Sequence, residues 1–235
     1  MKHAALAIVL FSIALGCSAQ SQRMRNLPNF DMKKYHFGFL LSINSSDFAF
    51  QYKPDYTFSD SLQGISNQAQ SGFNLALLAS LDLTPNIHLR FLPGLSFQDR
   101  GLDYRFLREN EPVSILKRTE SVFLEFPLLL KLRTNRVNNF AAYGLIGGKY
   151  GRDMQSQKDV NNLGGDEVII RLRDNDFAME VGGGFDFFLP FFKLSIEMKT
   201  AFGFQNLLIQ EPTIFAEPLE SLRTRMFVFS IAFEG

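Results

Sequence analysis

The sequence predicts an all-β fold, an eight-stranded antiparallel up-and-down transmembrane β-barrel, from three features of the chain. Hydrophobicity alternates with a period of two in segments of about ten residues, as in strands that face lipid on one side and a lumen on the other. Short and long connections between these segments alternate strictly. After residue 19, no apolar run approaches the roughly 20 residues of a membrane-spanning helix, so a membrane crossing would use strands.

The period of two is clearest between residues 192 and 205. Apolar residues there occupy the even positions, and charged or small residues such as Lys193, Glu197 and Lys199 occupy the odd positions. A helix would scatter these charges around its circumference. The eight predicted strands are Tyr35–Ile43, Phe73–Leu83, Ile87–Gln98, Val122–Arg133, Phe140–Tyr150, Phe177–Phe187, Phe192–Gln205 and Arg225–Phe233.

The lengths of the connections predict an orientation. Three connections are short, at 84–86, 134–138 and 189–191, and four are long and polar, at 50–71, 103–116, 152–173 and 207–221. Outer-membrane barrels have tight periplasmic turns, whereas their external loops are free to grow. The sequence therefore predicts short periplasmic turns, long external loops and both termini in the periplasm of a cell with an outer membrane.

The chain divides into three predicted regions. Residues 1–19 have the layout of a secretory signal peptide, with Lys2 and His3 before an apolar run and a small-residue site from Cys17 to Ala19. Residues 20–34 form a periplasmic N-terminal arm, and residues 35–235 form the barrel domain. Acylation of Cys17 is the alternative to cleavage after Ala19. Cleavage would remove the only cysteine, and with it any thiol chemistry.

Composition and motifs favour a protein that is not an enzyme. The formal net charge is zero, so there is no basic surplus to bind nucleic acid. Gly148 and Lys149 are similar to the end of a phosphate-binding loop, but Tyr150 stands where that loop needs serine or threonine. His36 and His88 lack a second ligand at metal spacing. We predict no catalytic residue, cofactor, metal or small-molecule substrate.

The polar residues at alternate positions of each strand, which we call the polar parity, predict a structural ion-pair network inside the barrel. Its candidate members carry both signs in nearly equal number, so they can neutralise one another in a narrow interior of low dielectric constant. An eight-stranded barrel has room for side chains and none for a pore. The predicted members are Arg90, Glu125, Lys131, Arg133, Glu180, Asp186, Lys193, Glu197 and Lys199.

A soluble barrel of lipocalin type is the alternative fold. Its apolar parity would point inward around a small apolar ligand, which inverts every side chain. The apolar parity here carries large residues along its whole length, and this bulk favours lipid over a narrow interior. A structural or adhesive outer-membrane barrel is a further alternative, which periodicity does not exclude.

Longer strings in the sequence carry a family resemblance. Asn26–Asp31 and Lys33–Phe39, Leu124–Lys131, Arg136–Phe140, Gly184–Phe188 and Pro190–Lys193, and Arg225–Glu234 resemble the PorT family of Bacteroidetes outer-membrane proteins. The resemblance covers nearly the whole mature chain. It implies a component needed for the type IX secretion system, which exports proteins across the outer membrane and in many relatives supports gliding motility. The family offers no established catalytic residues to carry over.

The N-terminal arm is the candidate contact with other type IX secretion components, which the resemblance implies as partners beside the outer-membrane lipid. It is basic, and Pro28 suits an extended segment more than a helix. The candidate contact residues are Arg25, Asn26, Leu27, Pro28, Asn29, Phe30 and Asp31. The alternative is a mere spacer between the signal peptide and the first strand.

Overall fold

The computed structural model describes residues 25–56, 62–108, 111–155 and 170–235. The predicted signal peptide at 1–19 with Cys17, the start of the arm at 20–24, and residues 156–169 of one long connection lie outside the described residues. No helix among the described residues is long and apolar enough to cross a membrane.

In the described part of the chain, nine strand segments follow a short 3-10 helix at Phe30–Met32. They are β1 (Tyr35–Tyr52), β2 (Leu62–Thr84), β3 (Ile87–Phe91), β4 (Gly94–Arg108), β5 (Glu111–Arg133), β6 (Phe140–Asp153), β7 (Asn175–Phe188), β8 (Lys193–Gly203) and β9 (Leu219–Glu234). Both β3 and β4 pair with β2 on one side and with β5 on the other, so together they form one strand that is broken at Leu92 and Pro93. The barrel therefore has eight strands.

Antiparallel pairing closes the sheet on itself. Each strand pairs with its neighbours in the chain, and β1 pairs with both β2 and β9, so that Phe39 lies between Leu77 and Phe233. Lipid offers no hydrogen bonds to a free strand edge, and closure satisfies the backbone groups within the sheet. The predicted fold class is confirmed.

The apolar parity of the strands points outward. Leu77 of β2 is 67% exposed, whereas Arg90 of β3 and Glu197 of β8 are completely buried inside the barrel. Outward rings also stack on one another, as Phe73 does on Phe97 with 4.4 Å between ring centroids. This is the arrangement of a transmembrane barrel, and the inverted lipocalin arrangement is wrong for this chain.

Several strands are longer than predicted. β2 and β5 each have 23 residues, about twice the 9–11 residues that a tilted strand needs to cross a bilayer. The loop predicted at 103–116 is wrong, because a hairpin of β4 and β5 occupies most of it. In this hairpin Leu102 and Tyr104 point inward, and Asp103 and Arg105 point outward. Beyond the lipid the inner face of the strand is thus apolar and the outer face is polar. A pattern of outward apolar residues therefore does not identify this part of the strand.

The extended strands enclose an apolar cluster at the end of the barrel opposite the termini, which we call the apolar cap. The hydroxyl of Tyr104 donates a hydrogen bond of 2.8 Å to the carbonyl of Phe215 within it. Burial of so much apolar surface stabilises this end of the barrel without lipid. The members of the cap are Phe48, Leu62, Ile65, Leu102, Tyr104, Phe106, Ile170, Leu172, Leu207, Leu208, Phe215, Ala216, Leu219 and Leu222.

Arginine at position 77 provides a test of the lipid-facing parity. We expect Leu77→Arg to lower the free energy of unfolding in lipid vesicles by about 2–4 kcal/mol, because Leu77 faces outward midway along the membrane part of β2. Leu83→Arg, at the end of the same face, is the matched control and should cost about 0–1 kcal/mol. Urea titration of both variants measures the difference. Equal small losses would contradict the outward parity.

Candidate functional site: a charged lumen and the rim beside the termini

Ten buried charged side chains form ion pairs within the barrel, and we call them the lumen network. Five are cations and five are carboxylates, so the network is neutral as a group. Each lies at an inward position of its strand. The members are Arg90, Glu125, Lys131, Lys149, Glu180, Asp186, Lys193, Glu197, Lys199 and Glu234.

Arg90 and Glu197 are the most deeply buried pair of the network. A guanidinium nitrogen of Arg90 lies 2.8 Å from the Glu197 carboxylate, and both side chains have no exposed surface. The hydroxyl of Tyr143 donates to the same carboxylate oxygen at 3.0 Å. Gly184 makes room for this ring, because a Cβ atom at Gly184 would lie 2.7 Å from the Tyr143 hydroxyl oxygen.

The other pairs connect six strands around the lumen. Lys131 of β5 lies 2.8 Å from Asp186 of β7. The remaining pairs are Lys149 with Glu125 at 2.9 Å and with Glu180 at 3.5 Å, Lys199 with Glu180 at 3.4 Å and with Glu197 at 3.7 Å, Lys193 with Glu234 at 2.8 Å, and Arg90 of β3 with Glu234 at 3.7 Å. Buried charges are tolerated when each has a partner of opposite sign. The network therefore fills the lumen with matched charges.

Little free space remains beside these charges. A cavity of about 20 Å³ lies next to Glu125, Glu180 and Lys199. That is enough for about one water molecule. At this level the lumen is packed with side chains and does not form a channel.

The structure brings eight of the nine predicted network residues together. The ninth, Arg133, lies at the end of the barrel beside the termini and binds Asp31 instead. Sequence reasoning missed Lys149 and Glu234. Both lie at inward positions of their strands, and strand parity alone would have found them.

The N-terminal arm folds into the open end of the barrel beside the termini. The ring of Phe30 stacks on His36 with 3.9 Å between centroids, and it contacts Phe188 edge-on at 5.8 Å. The ammonium of Lys193 lies 4.6 Å from the Phe30 ring, and the guanidinium of Arg136 lies 3.7 Å from the Phe188 ring. Phe30 is thus the residue that anchors the arm.

Polar contacts hold the arm on both sides of Phe30. Asp31 lies 2.8 Å from Arg133 and 3.8 Å from Arg136. The side chain of Asn26 donates to the carbonyl of Phe188 at 2.9 Å, and its backbone N–H donates to the Asn139 side chain at 2.8 Å. Arg136 also donates to the carbonyl of Asn26. Burial lowers the pKa of the Arg136 guanidinium, and Asp31 opposes that shift.

One arm residue has an unfavourable backbone conformation. Leu27 has a φ of 50°, in the left-handed region that leucine rarely adopts. A hydrogen bond of 3.1 Å from the Phe30 N–H to the Leu27 carbonyl holds the turn that follows. Such strain costs about 1–3 kcal/mol and persists only where the surrounding contacts determine the conformation. The arm is therefore docked in a defined conformation.

We call the surface formed by residues 25–34, 134–139 and 188–192 the rim. Of the arm residues that were predicted to contact a partner, Phe30 is buried in the barrel, Asn26 and Leu27 are half-buried, and Arg25, Pro28, Asn29 and Asp31 are exposed. A partner contact by the arm remains a prediction. Met32 and Phe191 add apolar surface to the rim, at 81% and 88% exposure.

Two histidines lie just inside the rim. Asp82 lies 3.3 Å from His36 and 2.5 Å from His88. Among the described residues, no group of three or more histidine, cysteine, aspartate or glutamate side chains could hold a metal ion. These contacts position the ring of His36 for stacking with Phe30.

Removing one partner of the deepest ion pair should destabilise the barrel. We expect Glu197→Gln to lower the free energy of unfolding by about 3–5 kcal/mol, because it leaves Arg90 buried without its closest carboxylate. Asp47→Asn breaks the half-exposed pair with Arg225 and should cost about 0–1 kcal/mol. Urea titration in vesicles compares the two variants. Similar losses would mean that the network contributes no more than a surface pair.

Protease sensitivity should report on the docking of the arm. We expect Phe30→Ala to speed tryptic cleavage at Lys33 and Lys34 in the folded protein, because the arm loses its buried anchor and opens more often. Met32→Ala removes an exposed side chain and should leave the cleavage rate unchanged. Mass spectrometry of the released arm gives both rates. Unchanged cleavage of Phe30→Ala would contradict anchoring by this ring.

Comparisons with known proteins provide the family. One solved structure of similar fold is OprG from Pseudomonas aeruginosa, which is 13% identical, with 92% of this chain and 99% of that chain covered and a TM-score of 0.46. Another is Ail of Yersinia pestis, crystallised with sucrose octasulfate, which is 13% identical, with 86% of this chain and 100% of that chain covered and a TM-score of 0.38. No curated protein matches it by sequence. The model of the outer membrane protein beta-barrel domain family matches residues 18–208, well over half of the chain. The chain belongs to the outer membrane protein beta-barrel domain family.

Proposed function

We propose that this protein is a non-enzymatic outer-membrane barrel required for protein secretion by the type IX system, with an accessory or assembly role at the translocon. The resemblance to the PorT family is the reason for proposing the type IX secretion system. The geometry of the barrel supports a role through its surfaces.

The observation that carries the proposal is the position of the strings that resemble the PorT family. The arm string at 26–31, the turn string at 136–140 and the strings around the β7–β8 turn are far apart in the sequence. All three meet at the rim, where Asn26 bonds to Asn139 and to the Phe188 carbonyl. A surface built from these strings is the natural place for a contact with other secretion components.

The filled lumen favours an accessory role over a conduit. A secreted polypeptide would have to displace paired charges such as Arg90 and Glu197, and then pass the apolar cap. Displacing one partner of a buried pair costs several kcal/mol. The translocated protein therefore takes another path, and this barrel acts beside it.

The proposed orientation puts the rim in the periplasm. Both ends of the barrel domain lie at the rim, since the N–H of Gly235 bonds to the carbonyl of Phe37 near the start of β1. The three short turns are at the same end. Tight turns face the periplasm in outer-membrane barrels, so the apolar cap would face the outside.

Deletion of the gene should abolish type IX secretion, and deletion of residues 24–32 should abolish it while the barrel still inserts. Heat-modifiable migration of the outer-membrane fraction checks insertion, and the medium is assayed for secreted proteins. Normal secretion in the gene deletion strain would favour a structural or adhesive barrel. Normal secretion with the shortened protein would remove the arm from consideration.

Point variants test the rim without moving Phe30. Met32→Asp and Phe191→Asp should reduce secretion at a normal level of inserted barrel, because both side chains are fully available to a partner. Ile214→Asp is the matched control, since Ile214 is 60% exposed at the opposite end. A loss caused by Ile214→Asp alone would place the contact on the other side of the membrane.

A further inference from the structure

Among the residues that the structure describes, the upper part of β5 has a free edge. β5 pairs with β4 from Glu111 onward, but it pairs with β6 only from Phe123, which faces Asp153. Among the described residues, none pairs with residues 112–120 on the side away from β4. This part of β5 lies beside the apolar cap, beyond the part of the barrel that crosses the membrane.

The hydrogen bonds of lower β5 show which backbone groups the edge presents. The Val122 carbonyl accepts from Met154 on the β6 side, and the Pro127 carbonyl accepts from Leu92 on the opposite side. In an antiparallel strand the N–H and C=O of one residue point to the same side, and the side alternates along the strand. The even residues Ser114, Leu116, Arg118 and Glu120 therefore direct both groups toward the free edge.

The described part of the β5–β6 ladder ends at Met154, whose N–H donates to the Val122 carbonyl just beyond the end of β6 at Asp153. Pro112, which has no N–H, stands near the far end of the edge. With the carbonyl of Pro112 included, the edge offers four donors and five acceptors in a regular row.

Side chains cover parts of two other strand edges at this end of the barrel. On β2, the hydroxyl of Tyr52 bonds to both the N–H and the carbonyl of Ile65. On β9, the Asn206 side chain accepts from the Leu222 N–H, and the Gln210 side chain donates to the Leu219 carbonyl. Folded proteins usually cover or interrupt exposed edges because such edges recruit other strands. The longer open row on β5 is therefore available to an added strand.

We propose that the free edge of β5 binds an extended segment of another polypeptide outside the membrane, which joins the sheet as an added antiparallel strand. Main-chain hydrogen bonds provide affinity in this mode, and pockets for alternate side chains provide specificity. Added residues on the inner side would lie next to Ile115, which packs against the cap, and those on the outer side next to Arg118 and Glu120. Because Lys117 and Thr119 share the inner face with Ile115, and Leu116 shares the outer face with Arg118, the main-chain hydrogen bonds would contribute most of the recognition.

A second copy of the protein would not supply the antiparallel strand that we propose. In the same membrane, a second copy has its β5 pointing in the same direction relative to the bilayer. Its edge would approach parallel and not antiparallel. The proposed occupant is thus a different chain, and on the proposed function it is a component of the secretion system. The inference rests on the proposed function in this respect.

Hydrogen exchange on the purified protein tests whether the edge is open. The amides of Leu116, Arg118 and Glu120 should exchange quickly, whereas those of Ile115, Lys117 and Thr119, which face β4, should be protected. Protection of the even amides in the isolated protein would mean that the chain itself already occupies the edge, and it would overturn the proposal.

Proline at position 118 tests the function of the edge in cells. Arg118→Pro removes an edge donor without removing a bond to β4, a position where strands tolerate proline. We expect inserted barrel and a loss of secretion as severe as in the gene deletion strain. Leu116→Pro repeats the test if Arg118→Pro does not insert. Ile214→Pro, at the second position of the turn closed by the Ala216 N–H and the Thr213 carbonyl, is the control and should secrete normally.

The outcomes separate the two proposals. If Arg118→Pro or Leu116→Pro inserts and secretes normally while the deletion strain does not secrete, the proposed binding at the β5 edge is wrong and the proposed function stands. Normal secretion in the deletion strain would overturn both. Loss of secretion with Ile214→Pro as well would show that any proline at this end interferes with secretion, and it would also contradict the proposed binding at the β5 edge.

Discussion

The ladder between β1 and β9 closes the sheet, and its register determines what every other strand presents to lipid. Side chains alternate between the two faces of a strand, so a slip of one residue exchanges the whole lipid-facing set with the whole lumen-facing set. The observed register places Phe39 opposite Phe233 on the outside. A slip would turn Glu234 and its neighbours toward the membrane, where an unpaired charge is costly. Closure and charge burial therefore require one another.

The lumen network makes the interior specific as well as full. Each carboxylate has a cation on another strand within 4.0 Å, and several cations bind two carboxylates. An alternative register would separate these pairs while they remained buried. The penalty for separated buried charges is several kcal/mol for each pair, so the network selects one arrangement of strands among the many that outward apolar residues alone would accept. The small residues beside it, such as Gly184, leave the space that Tyr143 occupies.

Strand parity made the membrane-spanning part of the fold predictable from sequence. The strand at 192–205 could be recognised because its outward residues meet lipid and its inward residues meet charges. Above the lipid the outward residues meet water, so the contrast reverses at Leu102–Arg105 and the hairpin was predicted as a loop. The site was harder to predict. Phe30 docks between His36, six residues further along the chain, and Phe188, which is distant in the sequence, and no local pattern marks such a contact. Lys149 was considered only in a failed nucleotide motif, although its parity pointed to the lumen.

The barrel is covered at its two ends by different parts of the chain, the arm at the rim and the apolar cap at the other end. Among the described residues, both the arm and the cap are held by contacts within this chain. An outer membrane must keep out detergents, bile salts and antibiotics, and every open barrel adds to its leakage. A barrel that is closed by its own segments can be inserted in large numbers before any partner is present.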